Sequence, residues 1–244
     1  MDPITTSVAG GLRARFEALD MLANNIANAS TSGFKRDGEF YSIFQQAEQD
    51  VDGDAPSELQ QPLIEKNWTD FSQGVLQETG NSLDFALSGK GWFAVNGANG
   101  PLYTRNGSFR VSSSGAVTTA EGNAVRLAGG TALKIQNSVP LTMSANGTLM
   151  QNGVALGRLD IVDFPNGGLT RQGPSNFRSL DPAVTGTAAT ETEVYQGKLE
   201  TANVSAPEAA VRLVNLTRQF ESLQRVLVIG SDMNRKAIDE LAKI

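Results

Sequence analysis

The chain has 244 residues, 40% of them hydrophobic and 19% charged, so it can bury a sizeable core and wholesale disorder is not expected. Its formal net charge of −6, without clusters of Lys and Arg, argues against nucleic acid as the main partner. The absence of Cys and His excludes disulfides, Ser-His-Asp and Cys-His catalysis, and the usual zinc sites.

The first predicted element is a helix over residues 4–29, followed by a stop at Ser30-Thr31-Ser32-Gly33. Apolar side chains recur there at steps of three and four residues, which places them on one helix face. They are Ile4, Val8, Leu12, Phe16, Leu19, Leu22 and Ile26. Asn24, Asn25 and Asn28 also fall in this helix, where Asn is a mediocre helix former. Two interpretations stay open: a solvated helix face, or side chains hydrogen-bonded to a packed neighbour.

An acidic connector is predicted over residues 37–74. Between positions 37 and 65 it carries eight carboxylates and no Lys or Arg, and Pro56 and Pro62 prevent a long helix. Asp50, Asp52 and Asp54 imitate the start of a calcium loop. However, Ala55 stands at the required Gly position and Gln61 at that of the closing Glu, so an extended, solvated connector is favoured.

A central β domain is predicted over residues 75–197, because short apolar runs alternate there with turn dipeptides. The turn dipeptides are Asn96-Gly97, Asn99-Gly100, Asn106-Gly107, Ser114-Gly115, Gly129-Gly130, Asn146-Gly147 and Asn152-Gly153. The predicted strands include Trp92–Val95, Ser108–Val111 and Leu156–Phe164. This alternation of short apolar runs and turn dipeptides is typical of an all-β domain.

A long helix is predicted within the last segment, residues 198–244. Ser205 and Glu208 have the spacing of a capping box, and Pro207 is tolerated in a first turn. Small or apolar residues then alternate three- and four-residue steps as a heptad seam, which weakens at Gly230 and Asn234. The seam is Ala206, Ala209, Leu213, Leu216, Phe220, Leu223, Leu227, Gly230, Asn234, Ala237, Leu241 and Ile244. Such length favours a long helix as partner over packing along the chain's own β domain.

Other patterns with chemical meaning are weak. Gly89-Lys90-Gly91 resembles a dinucleotide fingerprint, but a strand follows it where a helix is required. Asp84, Asp160 and Asp163 could in principle serve glycoside hydrolysis, yet nothing in the sequence brings two of them together. The sequence therefore predicts no catalytic, cofactor-binding or metal-binding residue, and no enzyme.

Several stretches together resemble the bacterial flagellar rod and hook proteins. They are Leu22-Ala23-Asn24-Asn25-Ile26-Ala27-Asn28, Thr31-Ser32-Gly33-Phe34-Lys35, Asp70-Phe71-Ser72-Gln73-Gly74, Leu83-Asp84-Phe85-Ala86-Leu87, Gly89-Lys90-Gly91-Trp92-Phe93, Tyr103-Thr104-Arg105-Asn106-Gly107-Ser108-Phe109, Gln196-Gly197-Lys198-Leu199-Glu200, Asn203-Val204 and Arg218-Gln219-Phe220-Glu221. The pattern at 218–221 is more similar to the proximal rod proteins, whereas Lys35-Arg36 and Phe40-Tyr41 lean toward the distal ones.

The resemblance implies a structural subunit of the flagellar basal-body rod, the drive shaft that joins motor to hook across the periplasm. Other copies, other rod or hook subunits and the flagellar export apparatus would be its partners. Neither an apolar stretch of about 20 residues nor a leader-like N-terminus is present, so export by the type III apparatus without a cleaved signal peptide is expected. No cofactor, nucleic acid or direct membrane insertion is expected.

The sequence thus predicts an α+β fold with four segments: an N-terminal helix (1–36), the connector (37–74), the β domain (75–197) and a C-terminal heptad helix (198–244). The terminal helices are expected to pair as a coiled-coil-like stalk. The residues expected to contact other subunits are Leu12, Phe16, Leu19, Asn24, Asn25, Ile26, Asn28, Leu213, Leu216, Phe220, Leu223, Leu227 and Leu241. Two alternative functions are considered. One is a secreted β-domain glycan-binding module or hydrolase. The other is a membrane-surface protein held by amphipathic helices, but such helices require a more basic polar face.

Overall fold

A computed structural model describes residues 3–46, 59–136, 139–144, 147–164, 168–181 and 186–241. The calcium-loop-like carboxylates at 50, 52 and 54 lie outside these ranges. The chain divides into two compact units. Unit 1 comprises Met1–Ala27, Arg36–Asp70 and Val204–Ile244, and unit 2 comprises Asn28–Lys35 and Phe71–Asn203. The chain therefore passes from one unit to the other four times.

Unit 1 contains both long helices, α1 (Pro3–Ala27) and α2 (Ala206–Leu241). The helix predicted over 4–29 ends at Ala27, because a hydrogen bond from Thr31 N to the Asn28 carbonyl starts a turn. The predicted start of the second helix is confirmed, since Ala209 N donates to the Ser205 carbonyl at 2.9 Å. Together with the strands of unit 2, these helices confirm the predicted α+β class.

Unit 1 also contains a two-stranded antiparallel ribbon, β1 (Asp37–Gln46) and β2 (Leu59–Thr69). At its open end, where Asp37 pairs with Thr69, the side chains of Arg36 and Asp70 are 2.9 Å apart, and Asp70 N donates to the Arg36 carbonyl. Thr69 Oγ1 donates to Asp37 Oδ1 at 2.6 Å. The described part of the predicted connector is therefore extended but paired. The acidic composition of this stretch predicted a solvated connector and did not indicate that its two ends pair as antiparallel strands.

Unit 2 is built from short strands. In chain order they are β3 (Leu76–Glu78), β4 (Phe85–Ser88), β5 (Trp92–Gly97), β6 (Gly100–Thr104), β7 (Arg110–Val111), β8 (Val117–Thr118), β9 (Ala124–Val125), β10 (Leu141–Met143), β11 (Thr148–Gln151), β12 (Val154–Arg158), β13 (Ile161–Asp163), β14 (Leu169–Arg171), β15 (Asn176–Ser179), β16 (Thr187–Ala188), β17 (Glu193–Gln196) and β18 (Lys198–Glu200). The largest sheet has the order β14-β15-β6-β5-β9-β8-β7, with β13 pairing both β5 and β16. The order β10-β11-β12 forms a second sheet, and β17-β4 and β18-β3 are separate pairs.

The core of unit 2 lies on both faces of β5. Phe93 and Val95 point into one apolar cluster, and Trp92 and Ala94 point into another. In the second cluster the Trp92 and Phe177 ring centroids are 4.9 Å apart. A strand buried on both faces reads as a continuous apolar run, which is why Trp92–Val95 was predicted as a strand.

Two other predicted strands are shorter than expected. The run Ser108–Val111 forms a strand only at Arg110–Val111, and the run Leu156–Phe164 is divided between β12 and β13. The Asn152-Gly153 hairpin is confirmed as the two-residue turn between β11 and β12, with Asn152 at a φ of 52°. An Asn-Gly dipeptide is a local signal, whereas strand length depends on distant pairing partners.

The unit boundaries differ from the predicted segment boundaries, because residues 28–35 belong with the β structure. Phe34 and Lys35 are fully buried. Gly33 has a left-handed conformation, with a φ of 67°. A Cβ at this position would lie 2.3 Å from the Arg105 carbonyl carbon, so glycine is required there by packing as well as by backbone conformation.

Candidate assembly interface

The two helices of unit 1 share a small apolar cluster. Its buried members are Ala18 and Leu22 of α1 and Ala209 and Leu216 of α2. Leu19, Ile26 and Val204 pack against it and are partly buried. The C-terminal half of α1 therefore packs on the first turns of α2.

The predicted heptad seam of α2 is its least exposed stripe. Ala209 and Leu216 are buried, and Phe220, Leu223 and Leu227 are half-buried. Leu213 is 36% exposed. The side chain of Leu241 lies outside the described residues. Among the seam side chains that the structure describes, the buried ones lie near its start, and Phe220, Leu223 and Leu227 retain apolar surface that one chain does not bury.

Other apolar residues of α2 are also exposed. They are Val211, Val214, Val226, Val228, Ile229, Met233 and Ile238. On α1, Phe16 is 57% exposed, although Leu12 and Leu19 are half-buried. Scattered exposed apolar residues are ordinary, but this many along one helix are typical of a surface that other helices cover.

The three Asn residues of the N-terminal helix differ in their surroundings. Asn25 is buried, its Nδ2 donates to the Asp37 carbonyl at 2.7 Å, and its Oδ1 accepts from Asp37 N at 3.0 Å. The hydrogen-bonding interpretation is therefore correct for Asn25, which joins α1 to the start of β1. Asn24 is exposed, and Asn28 is half-buried in the turn after α1.

A small cavity of about 140 Å³ lies beside Asn25 in unit 1. Trp68 lines it and is nearly half exposed. Arg212 of α2 forms an ion pair with Glu39 of β1 at its edge. No local sequence pattern predicts this ion pair, because its partners are 173 residues apart.

Unit 2 contains a buried cluster of charged side chains that no local sequence pattern predicts. Lys35 Nζ lies 2.5 Å from Glu200 Oε1, and Arg105 Nη1 lies 3.2 Å from Glu200 Oε2. Burial lowers the pKa of the Arg105 guanidinium, and the Glu200 carboxylate opposes that change. Each partner occurs in a stretch that carries the family resemblance. The presence of all three charged residues in stretches that resemble the family was the available sequence signal for this cluster.

The described residues offer little for catalysis or ligand chemistry. No group of three or more candidate metal ligands is found among them. Trp92 and Tyr103, the aromatic residues that a glycan-binding module would expose, are both buried in the core of unit 2. Within the described part of the chain, neither helix is apolar enough over a sufficient length to cross a membrane.

Comparison with known families gives three matches along the chain. Residues 7–35 match the flagella basal body rod protein family. Residues 86–152 match the D1 domain of the flagellar hook proteins FlgE, FlgF and FlgG, and residues 195–240 match the C-terminal region of the flagellar basal body rod FlgE/F/G proteins. These matches include the start of unit 2, about half of its strands and most of α2.

Individual relatives match over nearly the whole chain. The basal-body rod protein FlgF of Caulobacter vibrioides is 30% identical over 235 residues, which is 93% of this chain and 92% of the relative. FlgF of Mesorhizobium japonicum is 30% identical over 228 residues, or 91% of each chain. The rod protein FlgG of Agrobacterium fabrum is 30% identical over 249 residues, or 92% of this chain and 94% of the relative. The chain therefore belongs to the bacterial flagellar basal-body rod protein family, which includes both FlgF and FlgG.

Proposed function

We propose that this protein is a structural subunit of the flagellar basal-body rod, and not an enzyme. It assembles in the basal body with further copies and with other rod or hook subunits. The observation that carries the proposal is the seam of α2, where Phe220, Leu223 and Leu227 keep apolar surface that the single chain leaves partly uncovered. Covering that surface with helices of neighbouring subunits removes apolar area from water.

The finer mechanism is part of the same proposal. The terminal helices pair as a coiled-coil-like stalk and pack on those of neighbouring copies, forming a helical shaft that transmits torque from motor to hook. Such head-to-tail contacts need not close into a ring, so they can extend a filament. The exposed or half-buried members of the predicted contact set would make these contacts. They are Leu12, Phe16, Leu19, Asn24, Ile26, Asn28, Leu213, Phe220, Leu223 and Leu227.

Two members of the predicted contact set are buried by the chain itself. Asn25 is hydrogen-bonded to the backbone of Asp37, and Leu216 lies in the cluster between the helices. We propose that these two residues shape unit 1, so that their effect on assembly is indirect.

We further propose export by the flagellar type III apparatus without cleavage of a leader, and residence in the periplasm-spanning rod. Family membership supports this route. Ala18 and Leu22 of α1 pack on α2, so the N-terminal helix contributes to the apolar cluster of unit 1. The mass of the protein extracted from purified basal bodies tests the proposal, and a mass lacking the N-terminal helix would contradict it.

The position in the rod has two candidates. The proximal rod, formed by FlgF-type subunits, is favoured by the Arg-x-Phe-Glu pattern at 218–221. The distal rod remains the alternative, because FlgG relatives reach the same 30% identity over a similar share of the chain. Labelling the chain and locating it in isolated basal bodies distinguishes the two positions.

The assembly mechanism is tested by Leu223→Asp in a deletion strain complemented with the full-length gene. An unpaired charge in an apolar helix contact costs on the order of 3 kcal/mol per subunit, so motility and intact rods should be lost. Thermal unfolding of unit 2 in the purified variant should stay at the wild-type temperature. If rods form normally while unit 2 unfolds, the seam serves the fold of the single chain and the mechanism is wrong.

Gln224→Asp is the matched control. It introduces the same side chain at the next residue of the helix, which is exposed. Exposed substitutions change stability by about 0.5 kcal/mol at most, so this variant should assemble and swim. Arg212 is a poor control because it pairs with Glu39.

A further inference from the structure

Three segments of unit 2 adjoin the points where the chain enters or leaves that unit. We call them the roots: residues 33–35, residues 72–75 and residues 200–203. The first precedes the passage after Lys35, the second follows the passage before Phe71, and the third precedes the passage after Asn203. Through these passages the chain continues to the ribbon and to α2.

The roots are joined pairwise by hydrogen bonds. Gly33 N donates to the Glu200 carbonyl at 2.7 Å, which joins the first root to the third. Lys35 Nζ donates to the Ser72 carbonyl at 2.6 Å, which joins the first to the second. Thr201 N donates to the Val75 carbonyl at 2.8 Å, which joins the second to the third.

The Glu200 carboxylate lies at the centre of these contacts. Its Oε1 accepts from Lys35 Nζ and, at 2.9 Å, from Gly74 N, while its Oε2 accepts from Arg105. Arg105 in turn donates to the Gly89 carbonyl at 2.7 Å, in the loop before β5. One carboxylate therefore contacts the first two roots, belongs to the third, and reaches the sheet through Arg105.

Burial makes this arrangement specific. The side chains of Lys35 and Glu200 are 0% exposed and that of Arg105 is 5% exposed. A buried charge must be matched in both position and direction, so a displaced root would leave an unpaired charge out of water. Apolar contacts tolerate sliding more readily, whereas charge-assisted hydrogen bonds define geometry.

We propose that Lys35, Glu200 and Arg105 form an ionic clamp that makes the three roots open and close as one element, separately from the two apolar clusters of unit 2. The clamp holds the three roots of unit 2 in fixed register with the sheet of that unit. It does not depend on assembly into a rod, because the hydrogen bonds that define it lie within unit 2 of one chain.

Amide hydrogen exchange of the full-length protein, followed residue by residue, tests the clamp. In Lys35→Met, the amides of Gly33, Gly74 and Thr201 should exchange at least about tenfold faster than in the wild type. The core amides of Val117 and Leu133, which are hydrogen-bonded within the sheet, should change less than about twofold. Equal acceleration of root and core amides, or no acceleration of the roots, would overturn the proposal.

Lys134→Met is the matched control, because it removes the same charge from an exposed side chain of the same unit. Its root amides should exchange at the wild-type rate, and faster exchange there would mean that net charge, not the clamp, is responsible.

The wild-type protein provides a test that does not depend on a folded variant. At low denaturant concentrations the amides of Gly33, Gly74 and Thr201 should converge on one opening reaction with one dependence on denaturant, before the core amides open. Three separate dependences, or convergence only at global unfolding, would show that the roots open independently or only with the core, and the clamp would be refuted.

Discussion

Units 1 and 2 use apolar residues in opposite ways. Unit 2 surrounds its central strand β5 with apolar side chains on both faces, and Phe85, Phe93 and Phe177 are fully buried there. Unit 1 has one small helix cluster and leaves Val228, Ile229 and Met233 on the surface. Unit 2 therefore buries the apolar side chains around β5 within itself, whereas unit 1 leaves apolar side chains of α2 exposed in the single chain.

The contrast teaches that hydrophobic content alone does not identify a self-contained domain. The α2 helix continues its apolar seam for about 54 Å, much further than its well-buried portion. Helical stability in proteins comes mostly from packing an apolar face. We expect substitutions that disturb packing to be severe in unit 2 and mild in the exposed portion of unit 1 until subunits assemble.

A pair of Gly→Ala substitutions gives the largest expected difference between the units. A Cβ at Gly107 would lie 1.7 Å from the Phe85 carbonyl oxygen, so β4 or its neighbour must move. We expect Gly107→Ala to reduce the free energy of unfolding of unit 2 by about 3 kcal/mol or more, measured by urea unfolding. Stability within about 0.5 kcal/mol of the wild type would show that unit 2 is less tightly packed than described.

Gly230→Ala is the counterpart in unit 1, with a smaller effect of opposite sign. No described atom lies within 4 Å of a Cβ at Gly230, and the residue is inside α2. Replacing it should stabilise the helix of the isolated protein by about 0.5–1 kcal/mol, seen as a higher melting temperature by circular dichroism at 222 nm. A lower melting temperature would mean that α2 is already closely packed at this position in the single chain.

The smallest expected effect concerns a charge in unit 2. Burial raises the pKa of the Asp160 carboxyl, and Arg126, 3.3 Å away, opposes the change. Because the folded pKa exceeds the unfolded one, the folded chain binds more protons between them. The stabilising contribution is complete below about pH 3.9 and is lost as pH rises through the folded pKa.

Asp160→Asn should remove that pH dependence, which urea unfolding between pH 4 and 7 can measure. Near neutral pH the lost ion pair should cost less than about 1 kcal/mol, since both partners are partly exposed. Glu221→Gln on the exposed face of α2 should leave the profile unchanged. An unchanged profile in Asp160→Asn would assign the dependence to other groups.

Local patterns predicted much of the fold. The helix seam depends on a repeat of three and four residues, and Ser205 together with Pro207 located the start of α2 correctly. The Asn152-Gly153 dipeptide identified a hairpin, and the apolar run at Trp92 identified the central strand. Each signal spans a few residues, so a single sequence is sufficient to read it.

Pairing between distant segments could not be predicted in the same way. The ribbon joins Asp37 to Thr69 across an acidic stretch that was interpreted as solvated. The contact between Lys35 and Glu200 joins residues 165 positions apart. The expected assembly contacts could be placed on helix faces, but Asn25 proved to be occupied within its own chain, because helical periodicity does not reveal which neighbour a side chain meets.

The distance along the chain between Lys35 and Glu200 also governs when the protein can fold. A chain made from its N-terminus must extend to residue 200, roughly four-fifths of its length, before these two residues can meet. Long-range closure of this kind slows folding, because loop entropy is lost before the contact forms. Unit 2 therefore cannot complete its native structure until most of the chain has been made.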